Sequence, residues 1–354
     1  MTGRDLDISM RRWYTTHMGL DEPAIWTVEE ITWLSTAYWK SCVLSAAVEI
    51  GLFDAVGNGA TIDSIAGATN ASSPRHIAEL LGALVSLELI EKKGDTFHLS
   101  PSASVFLMRS SPTCMLDALR FNMDLYPLWG RLGTCIKEGK PVLPPSAHLG
   151  DDPARTRRFT LGMHSRALAM APALIPSLDM RGCSSLLDVG AGPGTFSRVL
   201  AEKYSTLAVT LFDLAPVLDI GRELMRGADV TARVSFHSGD YRKDALPGGF
   251  DAVLYCGALH QEEPEGARRL FKKIHGSLKP GGRLYVVDMM LAADRTRPLF
   301  SVLFSLNMML ISPRGRVFTE DDVLECSEQA GFSDAECLKP EGCPYWVVKA
   351  LKPG

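Results

Sequence analysis

A glycine-rich stretch, LLDVGAGPGTF at residues 186–196, is the most specific chemical feature of the sequence. Its apolar start predicts a buried strand that leads through Asp188 into a tight turn containing Gly190, Gly192 and Gly194. Glycines are needed where a ligand approaches the backbone closely, because a side chain would block that approach. The spacing is G-x-G-x-G, whereas a dinucleotide-binding loop reads G-x-G-x-x-G. The spacing therefore favours a ligand other than a dinucleotide.

Carboxylates at three predicted strand ends indicate what that ligand is. Asp188 lies two residues before the first glycine, where it would repel a pyrophosphate but suits a cation such as S-adenosylmethionine. Asp213 ends the next predicted strand, and an acid there can hydrogen-bond ribose hydroxyls. Asp240 ends the third, placed to accept from an adenine amino group, with Tyr241 beside it. We predict S-adenosylmethionine as cofactor and S-adenosylhomocysteine as product; a nicotinamide or other nucleotide is the alternative.

A histidine, His260, closes the fourth apolar run, DAVLYCGALH, on the same edge of the predicted sheet. A base at this edge that is within reach of an acceptor hydroxyl would add roughly 10²–10⁴-fold to the rate. His260 is therefore a candidate general base. The alternative is a polar residue, next to the acidic stretch Glu262–Glu265, that does not accept the proton.

The second half of the chain alternates apolar stretches with helical patterns. Six stretches from residue 184 onward read as strands: SSLLDVG, LAVTLFD, RVSFHSGD, DAVLYCGALH, RLYVVDMML and YWVVKAL. Regular β/α alternation predicts an α/β fold, a doubly wound, Rossmann-like parallel sheet with helices on both faces.

The N-terminal third reads as helical. Residues 28–56 carry apolar residues at helical spacing, with a break at Gly51. A short helix, a turn, a longer amphipathic helix that begins after Ser73 as N-cap, and a charged hairpin at 92–95 follow. This is the outline of a winged helix. We predict a dimerisation domain over residues 1–110, and linking helices with the methyltransferase domain over residues 111–354.

The winged-helix pattern raises DNA binding as an alternative, which the charges disfavour. Residues 60–100 contain three basic residues against five acidic ones. A recognition helix needs basic and amide side chains facing the bases and phosphates. The chain as a whole carries 37 basic and 41 acidic residues, a net charge of −4. We predict neither a nucleic-acid nor a membrane partner.

Cysteine usage and apolar runs bear on location. The eight cysteines form no C-x-x-C pair, so we expect reduced thiols and no metal site. The N-terminus has no apolar core of a signal peptide. The run at 299–312 is too short to span a bilayer. We predict a soluble, cytoplasmic protein.

The motifs, in their order, carry a family resemblance. LLDVGAGPGTF, FDLAPVL, SGDYR, LH before an acidic stretch, LKPGGRLYVVD and SLNMMLISPRGRVFTEDDVLECSEQAGF resemble the class I S-adenosylmethionine-dependent O-methyltransferases of the caffeate and hydroxyindole type. The winged-helix segment looks like that family's dimerisation domain, so the resemblance covers nearly the whole chain. It implies a homodimer that methylates a hydroxyl of a small aromatic acceptor.

The resemblance also implies roles for residues. Gly190 and Gly192 would line the methionine part of the donor, and His260 matches the general base. Asp288 occupies the position of an acid that orients this base. Members of the family often carry a lysine four residues before the base, where this chain has Cys256. We assign to the donor site Asp188, Gly190, Gly192, Gly194, Asp213, Leu214, Asp240, Tyr241 and Cys256.

Two positions depart from the family pattern. The family commonly reads His-Asp-Trp at the base, whereas this chain reads His260-Gln261-Glu262. Plant-type members carry a second glutamate where this chain has Val317. These departures keep open carbon or nitrogen methylation, or a relative that no longer methylates. A ligand-sensing DNA-binding regulator is a more distant alternative.

The acceptor pocket is predicted between the sheet edge and the linking helices. Methionines and aromatic residues there suit a flat, apolar acceptor, although each also fits plain core packing. Asn307 is a polar exception that could orient the acceptor. We predict the lining residues Trp129, Met163, His164, Phe304, Asn307 and Met308.

Overall fold

The computed structural model describes residues 26–143 and 152–354. The chain divides into two compact units, with the boundary between Ser100 and Pro101. The predicted domain boundary at residue 110 stays a prediction. The prediction about the extreme N-terminus lies outside the described residues.

The described part of the first unit consists of helices and one hairpin. The helices are α1 (Val28–Ser35), α2 (Tyr38–Glu49), α3 (Leu52–Val56), α4 (Ile62–Ala68) and α5 (Pro74–Ser86). Strands β1 (Ile90–Lys93) and β2 (Thr96–Leu99) pair antiparallel. The predicted break at Gly51 is confirmed, since this residue adopts φ +71° between α2 and α3. Ser73 is the N-cap of α5 as predicted, but its side chain forms no capping hydrogen bond.

The second unit begins with the linking helices. They are α6 (Pro101–Phe106), α7 (Leu116–Trp129), α8 (Leu132–Glu138) and α9 (Pro153–Leu174). Asp152 caps α9, because its carboxylate accepts hydrogen bonds from the Ala154 and Arg155 amides. Pro153 then takes the first helical position, where its missing N–H costs nothing.

Residues 152–354 also contain a seven-stranded sheet with the order β5-β4-β3-β6-β7-β9-β8. Its strands are β3 (Ser185–Val189), β4 (Ala208–Asp213), β5 (Val234–Ser238), β6 (Phe250–Cys256), β7 (Leu278–Asp288), β8 (Ser333–Leu338) and β9 (Trp346–Leu351). The expectation of a wholly parallel sheet is wrong at one side, because β9 runs antiparallel to both β7 and β8. Strand β8 was missed because it is a half-exposed edge strand with no apolar run.

Helices cover both faces of the sheet. They are α10 (Thr195–Lys203), α11 (Ala215–Leu224), α12 (Pro264–Ser277), α13 (Leu299–Ile311) and α14 (Glu320–Gln329). Successive residues of β3 enter different hydrophobic clusters: Leu186 packs in one with α9, α10 and α11, and Leu187 in the other with α12 and α14. Strands buried on both faces read as continuous apolar runs, which is why the parallel strands were predictable.

The fourth apolar run ends earlier than predicted. Strand β6 stops at Cys256, and Gly257 turns the chain with φ +66°. His260 therefore lies in a short 3-10 turn, Leu259–Gln261, beyond the strand. Among the described helices, none combines the length and apolarity needed to cross a bilayer.

Candidate active site

The glycine loop after β3 contains three glycines with positive φ. Gly190 and Gly192 adopt φ +65° and +56°, a region that side chains disfavour. A Cβ atom at Gly190 would lie 3.3 Å from Ala258 and 3.3 Å from the Tyr241 ring, so the loop packs tightly there. A Cβ atom at Gly192 would meet no atom within 4 Å, which leaves this backbone open to a ligand.

Gly194 has a different environment. A Cβ atom there would collide with Leu211 of β4 and lie 2.7 Å from Met225. Its missing side chain therefore lets the start of α10 pack against the sheet. The predicted contact of Gly194 with the donor stays a prediction.

Asp213, at the end of β4, braces the glycine loop. One carboxylate oxygen accepts from the Gly192 amide at 2.7 Å, and the other from the Leu214 amide at 2.6 Å. Burial raises the pKa of Asp213 to about 6, against the lowering effect of these hydrogen bonds. The loop, Asp213 and Leu214 thus meet as the strand-end pattern predicted.

Asp188 is a buried carboxylate with a free oxygen. Its Oδ2 accepts from the Ser197 hydroxyl at 2.6 Å, while Oδ1 has no hydrogen-bond partner among the described residues. Burial raises the pKa of Asp188 to about 7. Cys256, at the end of β6, has its thiol pKa raised by burial and by the nearby Asp188 and Asp288 carboxylates. The unpaired oxygen of Asp188 fits the positive charge of S-adenosylmethionine, and the open backbone at Gly192 fits its close approach.

Asp240 and Tyr241 follow β5. Asp240 accepts from the Arg242 amide at 2.9 Å and from the Lys243 ammonium at 3.1 Å. Burial raises its pKa, but these contacts outweigh burial and leave the pKa below its usual value. The Tyr241 hydroxyl donates to Glu262 at 3.1 Å, and burial raises its pKa. Asp240 is thus an ionised acceptor at the predicted adenine position.

His260 and Asp288 lie in hydrogen-bond contact, as the sequence predicted. The His260 ring Nδ1 is 2.8 Å from Asp288 Oδ1, and the His260 backbone amide donates to Asp288 Oδ2 at 3.1 Å. In the neutral tautomer that donates Nδ1–H to this carboxylate, Nε2 carries the lone pair. Asp288 is 1% exposed and the His260 side chain 12% exposed. The ring packs edge-on against Phe304, with centroids 4.9 Å apart.

The segment with the missing glutamate lies beside the same histidine. The Arg316 amide donates to the His260 carbonyl at 2.9 Å, and Val317 is 1% exposed. Val317 therefore contributes an apolar side chain where plant-type members carry an acid. Asp288 supplies the carboxylate at the His260 ring.

The predicted acceptor residues do not all bond to one another: two of them share a hydrogen bond, and a third bonds to a different residue. The Trp129 indole donates to the Asn307 side-chain oxygen at 3.1 Å, which joins α7 to α13. His164 Nδ1 lies 2.8 Å from the Thr195 hydroxyl at the start of α10, and burial lowers the His164 pKa. Met163 lies on α9 beside His164, and Phe304 and Met308 lie on α13 with Asn307.

Three residues at this edge were missed from the sequence. Ser197 and Thr195 bond to Asp188 and His164 across the start of α10, and no motif marks such contacts. Glu262 is 3% exposed although it lies in an acidic stretch that reads as surface. The sequence did offer one indication for Glu262: it stands where the family's His-Asp-Trp pattern has the tryptophan.

No group of three or more His, Cys, Asp or Glu side chains within residues 26–143 and 152–354 is arranged to hold a metal ion. The site consists of the glycine loop, the carboxylates of Asp188, Asp213, Asp240 and Glu262, and the His260–Asp288 pair, along one edge of the sheet.

Residues 141–333 match the O-methyltransferase domain, and residues 33–109 match the O-methyltransferase dimerisation domain. The chain is 30% identical over 330 residues to the tetracenomycin polyketide synthesis 8-O-methyl transferase TcmO of Streptomyces glaucescens, covering 92% of this chain and 96% of that protein. It is also 30% identical to the N,N-dimethyltransferase OxyT of Streptomyces rimosus, covering 90% and 95%.

A solved structure shares the fold. Human N-acetylserotonin methyltransferase in complex with S-adenosylmethionine superposes with a TM-score of 0.84 at 24% identity, covering 95% of this chain and 100% of that one. The predicted family, fold class and cofactor are confirmed. The chain belongs to the family of S-adenosylmethionine-dependent O-methyltransferases that carry an N-terminal dimerisation domain.

Proposed function

We propose that the protein methylates a hydroxyl of a small aromatic acceptor, with His260 as general base and Asp288 as the residue that orients it. The observation that carries this proposal is the 2.8 Å contact between His260 Nδ1 and Asp288 Oδ1. It leaves Nε2 as proton acceptor on a ring that packs against Phe304 of α13. A phenol proton would move to Nε2 as the acceptor oxygen becomes nucleophilic.

The donor half of the site is proposed along the ends of β3, β4 and β5. When bound, S-adenosylmethionine supplies an electrophilic methyl group. Gly190 and Gly192 would lie against its methionine part, and the unpaired Asp188 oxygen would face its positive charge. Asp213 and Leu214 would flank the ribose and adenine, and Asp240 and Tyr241 the adenine. The Tyr241 ring also packs beneath Gly190.

Orientation is the second contribution of the chain. Methyl transfer is an in-line displacement, so the acceptor atom must be held in line with the donor's methyl group and its leaving sulfur. Effective molarities for such alignment reach about 10⁵–10⁸ M. We assign this alignment to α7 and α13, whose side chains Trp129 and Asn307 are hydrogen-bonded.

An aromatic acceptor is supported by the apolar candidate lining, and methylation of an oxygen by the names of two relatives. TcmO is named for an 8-O-methylation in polyketide synthesis, and acetylserotonin O-methyltransferase of Bos taurus is 28% identical over 334 residues, covering 90% of this chain and 96% of that protein. Both names describe methylation of an oxygen. We therefore propose the same reaction type for this chain, with an aromatic ring as the carrier of the hydroxyl.

Nitrogen methylation is the second candidate. OxyT, named an N,N-dimethyltransferase, is as similar to this chain as TcmO is. The replacements Gln261 and Val317 next to the base are consistent with a changed acceptor. A neutral amine already carries the lone pair that attacks the methyl group, so it needs less help from His260.

A homodimer is proposed from the dimerisation domain that residues 33–109 match. Cytoplasmic location stays a prediction. DNA binding is not proposed, because residues 60–100 are richer in acids than in bases.

Isothermal titration with S-adenosylhomocysteine tests the donor half of the proposal. Saturable binding is expected, and Asp213→Ala should weaken it about tenfold or more, since its carboxylate braces the Gly192 amide. A wild-type protein that shows no binding would contradict the donor site.

A further inference from the structure

Glu262 is a buried carboxylate two residues after the candidate base, and its partners come from a different loop. Its side chain is 4% exposed. Oxygen Oε1 accepts from the Tyr241 hydroxyl at 3.1 Å and from Arg242 Nε at 2.7 Å. A buried carboxylate is costly unless it is paired and hydrogen-bonded, so these contacts define one geometry. Glu262, Tyr241 and Arg242 are called the Glu262 cluster below.

The cluster reaches the donor site through Tyr241. The Tyr241 ring is the surface that a Cβ atom at Gly190 would touch at 3.3 Å, so the glycine loop packs directly on it. The same ring stands edge-on to Tyr255 of β6, with centroids 5.9 Å apart. The Tyr241 hydroxyl stays protonated because burial raises its pKa, and it therefore acts as donor to Glu262.

The cluster reaches the base through the backbone of the 3-10 turn. Arg242 Nη2 donates to the Gln261 carbonyl at 3.3 Å, one residue after His260. From α12, Lys273 Nζ donates to the Tyr241 carbonyl at 2.9 Å and to the Arg242 carbonyl at 3.2 Å. The loop that carries Tyr241 is thus bonded to the turn that carries His260.

Gly266, in the first turn of α12, makes room for the carboxylate. A Cβ atom at Gly266 would lie 2.8 Å from Glu262 Oε2. The carboxylate therefore lies against the N-terminal end of a 14-residue helix, where negative charge is stabilised. An added methyl group at this position would displace the carboxylate without removing it.

We propose that Glu262 is a positioning residue that couples the donor-binding loop to the turn of the candidate base. The inference rests on the proposed roles of His260 and of the donor site. It gives a function to the residue that replaces the tryptophan of the family's His-Asp-Trp pattern. Displacing the Glu262 carboxylate releases the Tyr241 ring from beneath Gly190, so donor affinity falls, and it loosens the turn at His260, so kcat falls as well.

The test compares four variants by titration with S-adenosylhomocysteine, at a temperature where each is folded. Glu262→Ala should raise Kd about tenfold, the loss expected for a hydrogen bond to a charged group. Gly266→Ala should raise Kd by less, because its added methyl group meets Oε2 at the flexible end of the Glu262 side chain. Glu262→Gln keeps an oxygen for the Tyr241 hydroxyl and should recover most of the affinity. Glu263→Ala is the matched control, because Glu263 is exposed and lies 3.9 Å from Arg269; its Kd should be unchanged.

A second measurement separates coupling from general destabilisation. Tyr241→Phe should weaken binding, and adding Glu262→Ala to it should weaken binding by less than the product of the two single effects. If Glu262→Ala fails to fold, Gly266→Ala carries the test, since it keeps the carboxylate.

The outcomes distinguish the inference from the proposed function. A wild-type protein that does not bind S-adenosylhomocysteine overturns the donor site itself. If the wild type binds normally and Kd is also unchanged in Gly266→Ala and in the folded Glu262 variants, only the role of Glu262 is overturned. Fully multiplicative effects of Tyr241→Phe and Glu262→Ala also overturn it.

Discussion

His260 is held at two of its atoms by one carboxylate. Asp288 accepts from the ring at 2.8 Å and from the backbone amide at 3.1 Å, so both the turn and the ring orientation depend on it. The contact was predictable, because a resemblance placed an acid at the end of the strand that follows the histidine. The burial of Glu262 was not predictable, because its partners Tyr241 and Arg242 lie about 20 residues earlier in the chain.

His260→Ala should lower kcat with a phenolic acceptor by at least about tenfold, and by up to roughly 10⁴-fold. The physical reason is the loss of Nε2 as proton acceptor. Affinity for S-adenosylhomocysteine should change little, which titration checks. Gln261→Ala serves as control for disturbance of the turn. A His260→Ala enzyme with the kcat of the wild type would rule out the base role.

Asp188 links pH to stability and to donor binding. Its pKa is raised from 3.8 to about 7 in the folded protein, so between these values the folded state holds a proton that the unfolded chain has released. Stability therefore falls as pH rises through this window, because the buried carboxyl must ionise. A cationic donor stabilises the ionised form and should release a proton on binding.

Asp188→Asn removes this ionisation. Without ligand, the Tm of the variant should exceed that of the wild type by a few degrees at about pH 8, and by much less at about pH 5. Its affinity for S-adenosylmethionine should nevertheless fall about tenfold, since the counter-charge is lost. Thermal denaturation across pH and titration measure the two effects. A Tm difference that is the same at both pH values would disprove the raised pKa.

At the scale of elements, α13 is tied to α7 by the Trp129–Asn307 hydrogen bond of 3.1 Å. Breaking it from either side leaves a partly buried polar group unpaired. Trp129→Phe and Asn307→Leu should each lower the free energy of unfolding by about 1–3 kcal/mol, and the double variant by less than the sum. Denaturant unfolding measures this. Strict additivity would show that the bond contributes nothing.

Most elements were predictable because their patterns are local. Parallel strands buried on both faces appear as apolar runs, and the strand end at Asp213 was located correctly. The end of β7 was placed too late, because MML continues the apolar run beyond Asp288. The end of β6 was placed too late, because GALH continues the apolar run past the turn at Gly257. Strand direction was missed at β9, since hydrophobicity alone does not distinguish a parallel strand from an antiparallel one.

At the scale of the whole molecule, the first unit presents an apolar surface on α1 and α2. Five of its large side chains are exposed by 51% to 58%: Ile31, Trp33, Leu34, Tyr38 and Trp39. Exposed apolar area of this kind marks an interaction surface. The sequence identified the domain type through its winged-helix pattern, but helical periodicity could not reveal which apolar residues stay uncovered.

Trp39→Glu should shift the proposed homodimer toward monomer, because a charge would be buried at the interface. Size-exclusion chromatography with light scattering measures the mass over a dilution series. Glu79→Lys, an exposed charge change on α5 of the same unit, is the matched control and should leave the dimer intact. A Trp39→Glu protein that remains dimeric at the same concentrations as the wild type would place the interface elsewhere.

The most direct test of the whole account is the identity of the methylated atom. The protein is incubated with S-adenosylmethionine and a panel of phenolic, indolic and heterocyclic compounds, and products that gain one methyl group are located by mass spectrometry and NMR. An aromatic ether is expected, formed by the wild type and strongly reduced in His260→Ala. A methyl group found on nitrogen or carbon, or an ether formed equally well by His260→Ala, would contradict the proposed function.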